Sequence, residues 1–166
     1  MNWYVLHVLT GEELNVQKRL ARTAPHIRTL VPRRKLMERR QGSMKEVSRL
    51  LFPGYVFAYT LLDNESYYKM IGPDGVIEVL GRPDPAAVPF KEMAHVLKWC
   101  EDSQLIGVSK VHDGDRITVI DGPLKSMEGQ IVRVDRRKGR ARVRLTLFGE
   151  PKEIDFGIEM IEQAPE

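Results

Sequence analysis

Cysteine is nearly absent from this 166-residue chain: Cys100 stands alone, so no internal disulfide can form. A single thiol suits a helix residue of a protein in a reducing cytoplasm, which is the expected location. Long hydrophobic runs are absent too. No segment approaches the roughly 18 apolar residues of a membrane helix, so no membrane partner is expected. The N-terminus, Met-Asn-Trp-Tyr-Val-Leu-His, lacks the basic region and small-residue cleavage site of a signal peptide. Catalytic signatures are missing as well. There is no Gly-x-x-x-x-Gly-Lys phosphate loop, no His-x-x-x-His, no cysteine pair and no Gly-x-Ser-x-Gly. His7, His26, His95 and His112 lie far apart without ligand spacing. The chain reads as a non-enzyme without a cofactor or metal.

What is present is positive charge, unevenly placed. The formal net charge is only +3, and 42 % hydrophobic with 30 % charged residues describes an ordinary globular chain. Basic residues nevertheless crowd Arg28 to Arg49, broken only by Glu38 and Glu46. They crowd again near Arg140, and Glu150, Glu153, Asp155, Glu159, Glu162 and Glu166 then cancel the second cluster in the sum. Two local basic fields on a nearly neutral chain suggest nucleic acid.

The second field lies in Gly129–Leu147, GQIVRVDRRKGRARVRLTL. Ala141, Val143, Leu145 and Leu147 alternate with Arg140, Arg142, Arg144 and Thr146, the period of a half-buried strand. Gln130 to Val134 reads as the partner strand, and Asp135 to Gly139 as the turn. The hairpin is expected to present Arg133, Arg136, Arg137, Lys138, Arg140, Arg142 and Arg144 to solvent, with Asp135 the only acid among them. Alternate arginines on a strand stand roughly 6.6 Å apart, suited to a row of phosphates. The alternative is an ordinary solvated strand face.

Along the rest of the chain, Trp3 to Leu9 predicts a buried strand, with Trp3 in the core. Thr10 and Glu13 have capping-box spacing, so a helix begins there and stops at Pro25. Ile27 to Val31 predicts a strand, and Arg33 to Arg49 a basic hairpin reaching away from the body, its tip at Gln41-Gly42-Ser43. Leu50 to Thr60 predicts a strand bent at Pro53-Gly54. Asp63 or Asn64 caps a short helix, Val76 to Leu80 is a strand, and Pro89 opens a helix with Phe90, Met93, Ala94 and Leu97 on one face. This α+β order, β-α-β-β-α-β and a helix, is that of a split-βαβ, ferredoxin-like domain over 1–102. Residues 103–111 are expected to be a linker. Residues 112–166 carry only strand signals, about five, which suggests a small all-β barrel.

Two stretches resemble a known family. Trp3-Tyr4-Val5, Leu51-Phe52-Pro53-Gly54-Tyr55-Val56-Phe57 and Gly75 through Gly81 look like the NGN domain of NusG-type transcription factors. Gly114 to Val119, Asp121-Gly122-Pro123, Gly129 to Val132 and Phe148-Gly149 resemble the SH3-like KOW barrel that follows it. The resemblance implies a monomer that binds RNA polymerase across the clamp helices and the opposite lobe. By position, Tyr4, Phe52 and Tyr55 would dock on the clamp, and Thr10, Gly11 and Glu12 would face the other contact. The Arg33–Arg49 hairpin would lie near non-template DNA. Leu124 and Met127 stand where housekeeping members carry aromatics for a ribosomal protein or Rho. With the Thr-Gly-Glu-Glu loop and the arginine ladder, this is similar to the LoaP paralogue group, processive antiterminators recruited by an RNA hairpin. Lys125 and the hairpin cations would then hold that RNA. The alternatives are a general elongation factor coupling polymerase to the ribosome or Rho, a ribosome-assembly KOW protein, and a C-terminal domain that switches to helices. The glycines and strict alternation disfavour the last.

Overall fold

The structure, a computed structural model, describes residues 1–81 and 83–162; Glu166, counted above among the acids, lies outside them. In chain order it begins β1 (Asn2–Val8), α1 (Glu13–Thr23), β2 (Arg28–Leu30), β3 (Arg33–Arg40) and β4 (Ser43–Leu50). There follow β5 (Tyr55–Thr60), α2 (Asn64–Ile71), β6 (Val76–Val79) and α3 (Phe90–Trp99). The remainder is β7 (Leu105–Ile106), β8 (Ser109–Asp113), β9 (Ile117–Asp121), a 3-10 turn (Glu128–Gln130), β10 (Ile131–Asp135), β11 (Arg140–Leu147) and β12 (Glu150–Met160). Among the described residues no helix is long and apolar enough to cross a membrane.

The chain divides into two compact units, Met1–Pro32 with Phe52–Ala94, and Arg33–Leu51 with His95–Glu166. The first is the ferredoxin-like half. Its sheet runs β2-β5-β1-β6, with β1 antiparallel to both neighbours. Tyr4, Leu6, Val8, Val56 and Ala58 fill one face, and Thr60 on that face bonds Ser66 of α2 at 3.2 Å. Val16 and Leu20 of α1 and Met70 of α2 are fully buried. Asp63 caps α2 as expected, accepting from the Ser66 N–H at 2.7 Å.

The capping box at α1 takes another form. The Glu13 carboxylate, 1 % exposed, accepts from Gly11 N–H at 2.6 Å and from Gly54 N–H at 3.1 Å. It therefore ties the Thr10–Glu12 loop to the turn between β4 and β5. That turn is itself a departure, because Phe52-Pro53-Gly54 ends one strand and starts another instead of bending a continuous one. Gly54 at φ +87 supplies a backbone conformation no L side chain adopts easily.

The second unit contains the barrel, in strand order β10-β11-β12-β8-β9. Ala141, Val143, Leu145 and Leu147 are all buried, as their alternation requires, and face Ile154, Phe156 and Ile158 of β12 among the core residues. Leu124 and Met127 are core residues too, and Trp99 lies 4.8 Å from the Phe156 ring with its Nε1 on Met127 Sδ at 3.2 Å. Burial pushes the Cys100 thiol up to about 12, so it stays protonated at neutral pH.

Two expectations fail in this unit, and a third fails on α3. The β3–β4 hairpin does not reach away: Arg34 Nε donates to the Asp155 carbonyl at 2.9 Å, and a Cβ on Gly157 would collide with the Lys35 carbonyl. Residues 103–111 are not a bare linker, because β7 pairs in parallel with β3 and Ser109 to Val111 belong to barrel strand β8. Two-residue strands carry no readable period. On α3, Met93, Val96 and Trp99 are the buried apolar residues, while Phe90 is 81 % exposed.

Replacing Glu13 with Ala strands the buried Gly54 N–H, at about 1–3 kcal/mol, and frees the part-buried Gly11 N–H to water. Urea unfolding should show a loss of about 1–3 kcal/mol for Glu13→Ala and a smaller one for Glu13→Gln, which keeps one acceptor. A change within experimental error for Glu13→Ala would contradict this role.

Candidate functional site

The hairpin β10–β11 is built as its sequence implies, with Gly139 at φ +66 closing the turn and Asp135 Oδ1 accepting from Lys138 N–H at 3.0 Å. That hydrogen bond is the main reason the Asp135 carboxyl is held below its ordinary range. The arginine ladder, however, is not an uncompensated row. β12 is the antiparallel neighbour of β11, and its register sets Arg142 opposite Asp155 and Arg144 opposite Glu153. Arg142 Nε reaches Asp155 at 2.9 Å, and Arg144 Nη2 reaches Glu153 at 2.6 Å. The bond to Asp155 holds the Arg142 guanidinium above its ordinary value. Arg136 is engaged likewise, by the Asp113 carboxylate at 2.9 Å and the Asp113 carbonyl at 2.8 Å. The expectation that Asp135 is the only acid here is thus corrected: Asp155 and Glu153 of β12, with Asp113 of β8, pair directly with Arg142, Arg144 and Arg136.

Four of the expected cations do converge. Arg133, Lys138, Arg140 and Arg142 line a cavity of about 70 Å³ together with Asp135 and Asp155. Arg137 and Lys138, both exposed, stand at the hairpin tip, and no carboxylate side chain lies within ion-pair distance of either among the described residues. Lys125 lies elsewhere, in the turn after β9, its Nζ folded onto the Ile120 carbonyl at 3.0 Å. Arg144 also stands apart from the cavity.

The first basic cluster meets the second at Arg140. Its Nη2 donates to the Met37 carbonyl at 3.4 Å and lies 4.0 Å from Glu38 Oε2, both on β3. Glu38 is engaged mainly by Arg49, at 2.7 and 2.8 Å, and these hydrogen bonds hold its carboxyl down at about 2. In the sequence the two clusters stand apart, and no local signal joins residues so far separated.

In the first unit, the residues expected to dock divide sharply. Tyr4 and Phe52 are 5 % and 7 % exposed, so they are core, with Phe52 edge-on to Phe57 at 5.5 Å. Their expected place on the docking surface is corrected, since alternation along β1 turns Tyr4 toward the helices. Tyr55 is half-buried and stacks on His7 at 5.5 Å. Across the same sheet face Trp3 meets Tyr59 at 5.1 Å, and both are half-buried. The register pairs Trp3 with Tyr59 and His7 with Tyr55, so all four rings share one face. Trp3, His7 and Tyr59 are no part of the expected contact; the alternation of WYVLHVL carries the signal for Trp3 and His7, and that of YVFAYT for Tyr59. Thr10 and Gly11 are exposed beside this strand, and Glu12 is half-buried, paired with Arg19 at 2.9 Å.

Comparison with known proteins gives two family matches, "Transcription termination factor nusG" over residues 1–97 and "KOW motif" over 114–146. The transcription termination/antitermination protein NusG of Thermus thermophilus is 30 % identical over 94 % of this chain and 96 % of that one. The Bacillus subtilis protein of the same name is 26 % identical, over 93 % and 95 %. A solved structure described as "Domain interaction in Thermotoga maritima NusG" superposes with a TM-score of 0.61 at 21 % identity, over 94 % of this chain and 93 % of that one.

The Glu38–Arg49 link yields a pH signature. A folded-state value below the ordinary one means a contribution present above pH 4.5 and lost as pH falls toward about 2. Carboxyl NMR should show Glu38 ionised at pH 3.5 in the native protein and returning toward its ordinary value in Arg49→Ala. Titration near 4.5 in both would contradict the link.

Proposed function

The chain belongs to the NusG family, and from that premise we propose that it is a transcription elongation factor that loads on RNA polymerase and holds a structured nascent RNA. The observation that carries the reading is the sheet face of the first unit, where Trp3, His7, Tyr55 and Tyr59 stay half-exposed around buried Val5 and Phe57. Rings that are partly wet in the free chain, rigid and flanked by an exposed loop, have the composition of an interface centre. RNA polymerase is the partner this face fits, with Thr10, Gly11 and Glu12 as a second contact held in place by Glu13.

The nucleic-acid partner rests on a smaller set than the ladder suggested. Arg137, Lys138 and Arg133 are exposed and bear the hairpin's unspent charge, while Arg136, Arg142 and Arg144 steady the barrel surface. A narrow, cationic hairpin tip suits the deep groove of a folded RNA stem, read by shape and phosphates. Capture of that RNA by one end of the factor raises its local concentration at polymerase and selects the operons it serves. This is the antiterminator mode of the LoaP group.

A second reading, the general NusG role beside the ribosome or Rho, is favoured by the paired arginines. Against it stands the full burial of Leu124 and Met127, which leaves no aromatic at those positions for such a partner.

Purified full chain and RNA polymerase in a terminator read-through assay separate these outcomes. Tyr55→Ala should weaken polymerase binding by about thirtyfold, the scale of a hot spot of about 2 kcal/mol, and leave RNA-hairpin affinity unchanged. Undiminished polymerase binding by Tyr55→Ala overturns the docking face. Read-through independent of any leader RNA favours the general role.

A further inference from the structure

Arg140 lines two neighbouring cavities of the second unit, and both basic clusters contribute to the larger one. That groove, about 600 Å³, is walled by Met37, Arg39 and Met44 of the β3–β4 hairpin and by Arg137, Lys138 and Arg140. The smaller, about 70 Å³, shares Lys138 and Arg140 with it and adds Arg133 and Arg142. We propose that this composite cleft seats the sugar–phosphate backbone of one nucleic-acid strand, with one phosphate in the small cavity and its neighbours along Arg39 and Arg137. The proposal rests on the nucleic-acid reading above and extends it to a second wall, the hairpin of the N-terminal half of the chain.

Three observations support a phosphodiester occupant. The first is charge. Each cavity has two more cations than carboxylates in its lining, and the carboxylates present are already engaged: Asp155 by Arg142, Glu38 by Arg49, and Asp135 by the Lys138 N–H. The second is an unmet donor: Arg140 Nε is buried with no acceptor among the described residues, although the same side chain bridges to Met37. Such a donor is costly, and an acceptor entering beside it would relieve the cost. The third is size. The small cavity is several times the ~10–15 Å³ that one water occupies by this measure, enough for a compact oxyanion. Among the described residues no aromatic ring lines either cavity, so bases find no stacking platform there. Contact is with the backbone, and sequence is not read at this cleft. A strand lying across both hairpins would also hold them together, making nucleic acid a brace for their contact at Arg140.

The test uses the full chain with two fluorescent probes, an RNA stem-loop and a single-stranded DNA of equal length, titrated at several salt concentrations. Arg39→Ala and Arg137→Ala should each weaken binding about threefold to tenfold and flatten the salt dependence by about one unit. Lys18→Ala, on exposed α1 surface, should change neither quantity. Dependence on Arg39 with either probe supports the cleft, and the probe that shows it identifies the strand. Binding that needs Arg137 but ignores Arg39 overturns the cleft while leaving the RNA reading intact. Failure of both probes to bind overturns both.

Discussion

The register between β11 and β12 is the constraint on which the second unit depends. It is set by a two-residue turn, Phe148-Gly149, whose φ values of 55 and 74 belong to the tight hairpin class that matches strand twist. Once Leu147 faces Glu150, every later pair follows. Val143 meets Ile154 and Ala141 meets Phe156 inside the barrel, while Arg144 meets Glu153 and Arg142 meets Asp155 outside. A slip of one residue would bury carboxylates and guanidinium groups and expose the core. One turn therefore decides both the packing of the barrel and which arginines remain free.

The outer pairs are individually weak, as exposed ion pairs are worth roughly 0–1 kcal/mol. In the proposed reading they matter for where the charge is left more than for stability. By neutralising the middle of the strand they concentrate the unspent charge at Arg137 and Lys138, where the hairpin is narrowest, and around Arg140, where the β3–β4 hairpin arrives. In the first unit Glu13 has a comparable position. A single buried carboxylate fixes the Thr10–Glu12 loop against the Gly54 turn, so two candidate contact segments share one anchor.

Much of the fold was legible because its signals are local. The alternation from Ala141 to Leu147, the Asp63 cap, the turn at Gly139 and the tip at Gln41-Gly42 all lie where the residues require. The misreadings share a cause, which is that their determinants are tertiary. Tyr4 and Phe52 look like anchors in the sequence, but only strand direction shows that Tyr4 faces the helices. Phe90 matches a helical stripe, yet the buried stripe of α3 is one step around. The pairing of Arg142 and Arg144 was in principle readable: a two-residue turn at Phe148-Gly149 makes Asp155 and Glu153 their partners by counting. The meeting of Arg140 with Met37 and Glu38, across 103 positions, left no local trace.

The central claim is that tip cations, and not the ladder, carry the interaction with nucleic acid. The direct measurement compares two double variants of the full chain, Arg137→Ala/Lys138→Ala and Arg136→Ala/Arg144→Ala, binding an RNA stem-loop across a salt series. The account predicts that the first flattens the slope of log K against log salt by about two units and that the second leaves it nearly unchanged. The reverse ranking, with the paired arginines carrying the slope, would contradict it.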